Sequence, residues 1–187
     1  MVIRKYENKD FEYVKYICLN DMLKENRDKE LIKYVELMFC RYYLEKEPES
    51  CFVAVDENDK PIGYIYGAKD YDTYERKMGD YLHSINELSS GNYLADALVE
   101  MYDHAIYKDK YPAHLHIDIL PEYQSKGIGS KLIEAYCNYI KNDNISGVML
   151  IVGSDNDGAK RFYERNSFIK LHEKHSGAAY GILFQEE

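Results

Sequence analysis

Leu115-His116-Ile117-Asp118-Ile119-Leu120-Pro121-Glu122-Tyr123-Gln124-Ser125-Lys126-Gly127-Ile128-Gly129-Ser130-Lys131-Leu132 is the stretch from which the rest of the chain can be read. From His114 to Leu120 polar and apolar residues alternate as in a strand, and Pro121 stops it. From Gly127 to Lys141, Ile128, Leu132, Ala135, Tyr136, Tyr139 and Ile140 fall on one face of an amphipathic helix. The loop between them carries Gly127-x-Gly129. Glycines there let the backbone approach a ligand, and the free N–H groups of a helix's first turn, aided by its dipole, suit anionic oxygens. Lys126 and Lys131 add positive charge, so the loop reads as a pyrophosphate cradle. It lacks the Lys-Ser ending of a P-loop and the third glycine of a Rossmann fingerprint.

Upstream, Val2–Tyr6 reads as a strand, and Asn8 as the cap of a helix with Phe11, Val14, Ile17 and Cys18 inward. Asp28–Leu44 repeats the helical period. Cys51–Val55 and Ile62–Gly67 form a hairpin around the polar turn 56–61. Asp70–Tyr111 reads as a helical insertion of one or two helices, interrupted at Ser89–Asn92. Downstream, Val148–Val152 is a strand buried on both faces, 154–157 caps a helix ending near Arg165, and Phe168–His172 and Tyr180–Phe184 are strands. The fold class is α/β (α+β), one domain over residues 1–187.

The 187 residues carry 24 Lys+Arg against 33 Asp+Glu, a net charge of −9, which makes nucleic acid a poor partner. Val148–Val152, the longest aliphatic run, is too short to span a membrane. Cys18, Cys40, Cys51 and Cys137 form no Cys-x-x-Cys pair, and the expected setting is a reducing cytoplasm. With 20 tyrosines among 187 residues, identity alone makes no tyrosine catalytic.

The loop Gln124-x-x-Gly127-x-Gly129 resembles the acetyl-CoA loop of the GNAT superfamily of N-acetyltransferases. Asn156-Asp157-Gly158-Ala159-Lys160-Arg161-Phe162-Tyr163, running on to Phe168, resembles that family's second signature, except that Ser167 replaces its usual glycine. Leu115–Pro121 with Gly63–Asp70 also resembles bacterial relatives of the acetyltransferase-like domain of O-GlcNAc hydrolases. The resemblance implies a mixed, mostly antiparallel sheet splayed at the cofactor strand, with helices on both faces. It implies acetyl-CoA as cosubstrate, held by Ile119, Leu120, Gln124, Ser125, Lys126, Gly127, Ile128, Gly129, Ser130, Asn156 and Ala159, and no metal.

It further implies transfer of an acetyl group to a primary amine by direct attack in a ternary complex, Tyr163 standing at the general-acid position. A core tyrosine is the alternative. His114, His116 and Asp118 share one strand face. Asp118, partnered by His116, is the candidate base or water relay, unless the pair only satisfies its own hydrogen bonds. The same spacing could hold a metal, but no fourth ligand is evident. Asp70 and the other acids of the insertion suit a cationic amine of a small molecule or peptide. A homodimer is compatible with the sequence, and a non-catalytic acyl-CoA-binding sensor is the alternative function.

Overall fold

The computed structural model describes residues 1–174 and 177–184. Seven strands, β1 Val2–Lys5, β2 Phe52–Val55, β3 Pro61–Ala68, β4 Ala113–Ile119, β5 Gly147–Val152, β6 Ile169–Lys174 and β7 Gly177–Leu183, lie in the order β1-β2-β3-β4-β5-β7-β6. All neighbours are antiparallel except β4 and β5. β3 and β4 stay paired from Ala68↔His114 to Gly63↔Ile119, whereas β4 meets β5 only at Ala113↔Val148 and His114↔Met149. The expected splay is therefore present, and it opens toward the Ile119 end of β4.

Helix α1 (Phe11–Lys24) is entered through a 3-10 turn at Asn8–Asp10, and the capping box is made by Glu7 and Asp10, not by Asn8. Asp28 caps α2 (Lys29–Glu36) by accepting from the N–H groups of Glu30 and Leu31. The helix expected to run unbroken to Leu44 is interrupted by a π turn at Leu37–Arg41 before α3 (Tyr42–Lys46). Inside that turn the Phe39 carbonyl accepts the hydroxyl of buried Tyr66, an acceptor that an unbroken α-helix would spend on its own ladder.

The insertion folds as three helices, α4 (Tyr71–Lys77), α5 (Gly79–Asn86) and α6 (Tyr93–Ala105). The break at Met78 was not visible in the apolar period, which continues through Met78 and Tyr81, both buried. α7 (Ile128–Asn142) and α8 (Asp157–Arg165) lie on the other face. α1 to α6 bury a core rich in tyrosine, among them Tyr42, Tyr43, Tyr66 and Tyr74, while α7 and α8 cover Ile65, Leu115, Leu132 and Leu150. In β3, Tyr64 and Tyr66 go to the first core and Ile65 to the second, as a two-residue period requires.

Candidate active site

The Leu120 N–H donates to the Ile62 carbonyl at 3.0 Å, toward β3. Alternate backbone groups on the strand, those of Ile117 and Ile119, therefore turn toward the gap where β5 has left. Gln124 fastens the loop to this strand end: its side-chain amide donates to the Ile119 carbonyl at 2.9 Å. Ser125 (φ 60°) and Gly127 (φ 77°) are both left-handed, a pattern that curls successive N–H groups into an anion-binding concavity. α7 has no side-chain cap, so its leading N–H groups, Ile128 to Ser130, stay available. A Cβ on Gly127 would meet nothing within 4 Å, and its glycine is needed for conformation in front of open space. These features fit a pyrophosphate.

Two residues of the loop behave otherwise than expected. A Cβ on Gly129 would stand 2.7 Å from Cζ of Phe162, so this glycine serves the packing of α7 on α8. Lys126 donates to the Glu122 carbonyl at 2.8 Å, which turns its charge back over the preceding turn. Across the gap, the Asn156 side chain accepts the Ala159 N–H at 3.0 Å, so both residues build the cap of α8. Ser167 keeps the turn that the glycine signature serves, at φ 68°, with Phe168 N–H bonded to the Tyr163 carbonyl.

Tyr163 is buried, and that burial, reinforced by the negative charge of Asp118, pushes its phenol above the ordinary value. Asp118 lies at the mouth of the splay. Solvent reaches its carboxyl there, but protein crowds it from the other sides, and this desolvation together with nearby Asp21 pushes it up to about 7. The Ile119 N–H and the Tyr64 phenol oppose the shift. The recess beside Asp118, about 30 Å³, is lined by Cys18, Asn20, Asp21, Ile119 and Gln124 among others. It has room for about one water. Asp21 was missed in the sequence although a signal existed, since it stands four residues after Ile17 where the inward face of α1 should stay apolar.

His116 is not the partner of Asp118. The Tyr43 hydroxyl lies 2.8 Å from Nε2 of His114 and 2.9 Å from Nε2 of His116, bridging the two. Burial and the neighbouring His104 lower His116 to about 3, so it is neutral near pH 7. Among the described residues no group of three or more His, Cys, Asp or Glu side chains could hold a metal ion. Asp70 is placed elsewhere. Its side chain caps α4 by accepting the Thr73 N–H at 2.9 Å, beyond the Ala68↔His114 pair and thus roughly 20 Å along the strands from Ile119. The insertion packs on the tyrosine core and on His114.

The model of the Acetyltransferase (GNAT) family matches residues 16–168. The chain belongs to that family. It is similar to N-alpha-acetyltransferase 30 of Schizosaccharomyces pombe, with 27% identity over 159 residues, 85% of this chain and 79% of that protein. A solved structure described as SsHAT superposes with a TM-score of 0.86 at 24% identity, over 99% of this chain and 98% of that one. The PaiA N-acetyltransferase of Thermoplasma acidophilum, solved in complex with coenzyme A, gives 0.60 at 17% identity over 98% of both chains. The protein is thus an N-acetyltransferase of the GNAT fold, with acetyl-CoA as its cosubstrate.

Proposed function

We propose that the enzyme acetylates a cationic primary amine, of a small molecule or a peptide, in a ternary complex with acetyl-CoA. The observation that carries this reading is the gap between β4 and β5, with Asp118 at its mouth and the buried Tyr163 phenol within reach of the Asp118 charge. The cosubstrate supplies an acetyl group activated as a thioester. The uncapped start of α7 would hold its pyrophosphate, and the gap-facing backbone of Ile117 and Ile119 would pair with its pantetheine arm as a neighbouring strand does.

A free ammonium has a pKa of about 10.4 and cannot act as a nucleophile. Asp118, at about 7, is ionised over much of the neutral range and accepts the proton directly or through a water in the recess. Asp21 adds a second negative charge to that recess and favours an acceptor that arrives as a cation. Tyr163 keeps its proton at neutral pH and is the donor to the departing thiolate. The four cysteines are unpaired, which supports a reducing, cytoplasmic setting.

The test is thiol release from acetyl-CoA against amines, amino sugars, polyamines and peptide N-termini, with wild type and Tyr163→Phe. We expect turnover on a cationic acceptor, with a lower kcat and an unchanged affinity for acetyl-CoA in the variant. Binding of acetyl-CoA without turnover on any amine would make the protein a sensor and overturn the proposal.

A further inference from the structure

We propose that Tyr64 is the positioning residue for Asp118: its hydroxyl donates to one carboxylate oxygen and leaves the other free for the proton of the acceptor. The inference rests on the proposed role of Asp118 as base and assigns what holds that base still. Tyr64 in β3 and Asp118 in β4 are direct cross-strand partners. Side chains of such a pair point to the same sheet face, with Cβ atoms about 5 Å apart. Tyr64 is buried on the face that α1 covers, and its phenol lies within hydrogen-bonding reach of the Asp118 carboxyl.

The column of rings behind Tyr64 makes this contact rigid. Its ring stacks on Tyr66, with centroids 4.4 Å apart and planes 11° from parallel, and Tyr66 stacks in turn on Tyr43 at 5.0 Å and 9°. Both rear rings are fastened at their tips. The Tyr66 hydroxyl donates to the Phe39 carbonyl in the π turn at 2.5 Å, and the Tyr43 hydroxyl bridges His114 and His116. A ring held in this way cannot swing its hydroxyl aside without unstacking the column, so the carboxylate oxygen it meets stays in place. Burial raises the Tyr64 phenol well above its ordinary value, so near pH 7 it keeps its proton and donates. Of the other titratable groups that face Asp118, Asp21 from α1 repels a carboxylate and the Cys18 thiol from α1 is a weak donor. Tyr163 from α8 is the proposed donor to the thiolate, and His116, next on the same strand face, is neutral near pH 7.

The test is Tyr64→Phe, which keeps the ring and its stacking and deletes the hydroxyl alone. Carbon-13 NMR of labelled aspartate carboxyls, with Asp118 assigned from Asp118→Asn, follows the titration without any acceptor. The Asp118 midpoint should rise by about one pH unit, the effect of losing a hydrogen bond to the charged form. The rise of kcat/KM with pH should move by the same amount, which lowers the rate at pH 7 about fivefold. Tyr42→Phe, which deletes an equally buried hydroxyl that donates to Glu47 at 3.1 Å, should shift neither. In wild type carrying labelled tyrosine, the hydroxyl-bearing carbon of Tyr64 should report the Asp118 midpoint, a measurement that needs no variant to fold. An Asp118 midpoint unmoved in Tyr64→Phe, a Tyr64 carbon blind to Asp118, or a loss of rate equal at every pH would each overturn the proposal. A midpoint that moves while the rate profile stays would instead remove Asp118 as base, and the role of Tyr64 in catalysis with it.

Discussion

On the face under α7 and α8, Leu132, Ile133, Val148 and Leu150 fill the core with side chains that need no partners. On the face under α1 to α6, Tyr43, Tyr66, His104 and His114 bury rings whose polar atoms do. The Tyr43 hydroxyl has one proton to share between two imidazoles, so it donates to one Nε2 and accepts from the other. That arrangement gives the two rings opposite roles at Nε2, and burial keeps both neutral near pH 7. The aliphatic face gains stability from volume and buries no histidine, whereas the aromatic face gains a defined orientation and becomes sensitive to acid. The two meet at the gap, where the Tyr163 phenol on one side feels the charge of Asp118 on the other.

The most severe way to break the comparison is at that meeting point. Asp118→Asn should lower the rate at neutral pH by about 10²–10⁴-fold and abolish the rise in kcat/KM expected of wild type as pH passes through about 7. The same variant should unfold at higher denaturant above pH 7. A carboxyl raised in the folded state loses stability as pH climbs from its unfolded value toward 7, and asparagine escapes that loss. A pH–rate profile beside urea titrations measures both, and an unaltered profile would return Asp118 to a packing role.

Acid is the next probe. His104 is lowered to about 4, His116 to about 3 and His114 well below its ordinary value, all chiefly by burial. Unfolded imidazoles take up protons below about 6.5 that the folded ones refuse, so stability is full above that pH and falls below it. Each histidine contributes a slope of up to about 1.4 kcal/mol per pH unit. Asp118 works in the opposite direction over the same window but is one group against three. Urea midpoints at pH 7 and pH 5 should therefore differ by several kcal/mol of stability, on the order set by those slopes. Equal midpoints would erase the distinction between the faces.

Single substitutions sharpen it. Leu132→Ala, on the aliphatic face, should cost about 2–5 kcal/mol through the cavity it leaves. Tyr43→Phe creates no cavity, yet it strips two buried imidazole nitrogens of their partner and should cost about 1–3 kcal/mol. Denaturant titration of both variants decides whether hydrogen bonding or volume governs the aromatic face. The smallest effect is expected at Ser167, whose left-handed backbone glycine would adopt without strain. Ser167→Gly should stabilise by up to about 1 kcal/mol, and no gain in thermal midpoint would mean that the serine pays nothing for its φ of 68°.

What could be read from the sequence was local. The Gln124–Gly129 loop follows its strand and opens its helix within a few residues, and Asn156 caps α8 three residues from Ala159. Asp70, standing three residues before Thr73, carried the same capping signal, but its charge drew the reading toward a substrate role. What escaped was made by residues distant in the chain. His116 is held by Tyr43, 73 residues away. Asp21 reaches the Asp118 recess only because α1 packs across β3 and β4, and Gly129 is constrained by Phe162. No spacing within either strand encodes that β4 and β5 pair at two positions, since their partners are set by the tertiary fold.

That short pairing divides the sheet into two boards, β1 to β4 and β5 with β7 and β6, that share one narrow seam. A molecule strung along the gap supplies hydrogen bonds across it that the ladder lacks, so it fastens the boards together and adds stability that grows with the logarithm of its concentration. Amide hydrogens beside the gap should then exchange slowly in the loaded protein and quickly in the empty one. Proteases act on the open form, so cleavage of the chain in vitro should slow as acetyl-CoA is added.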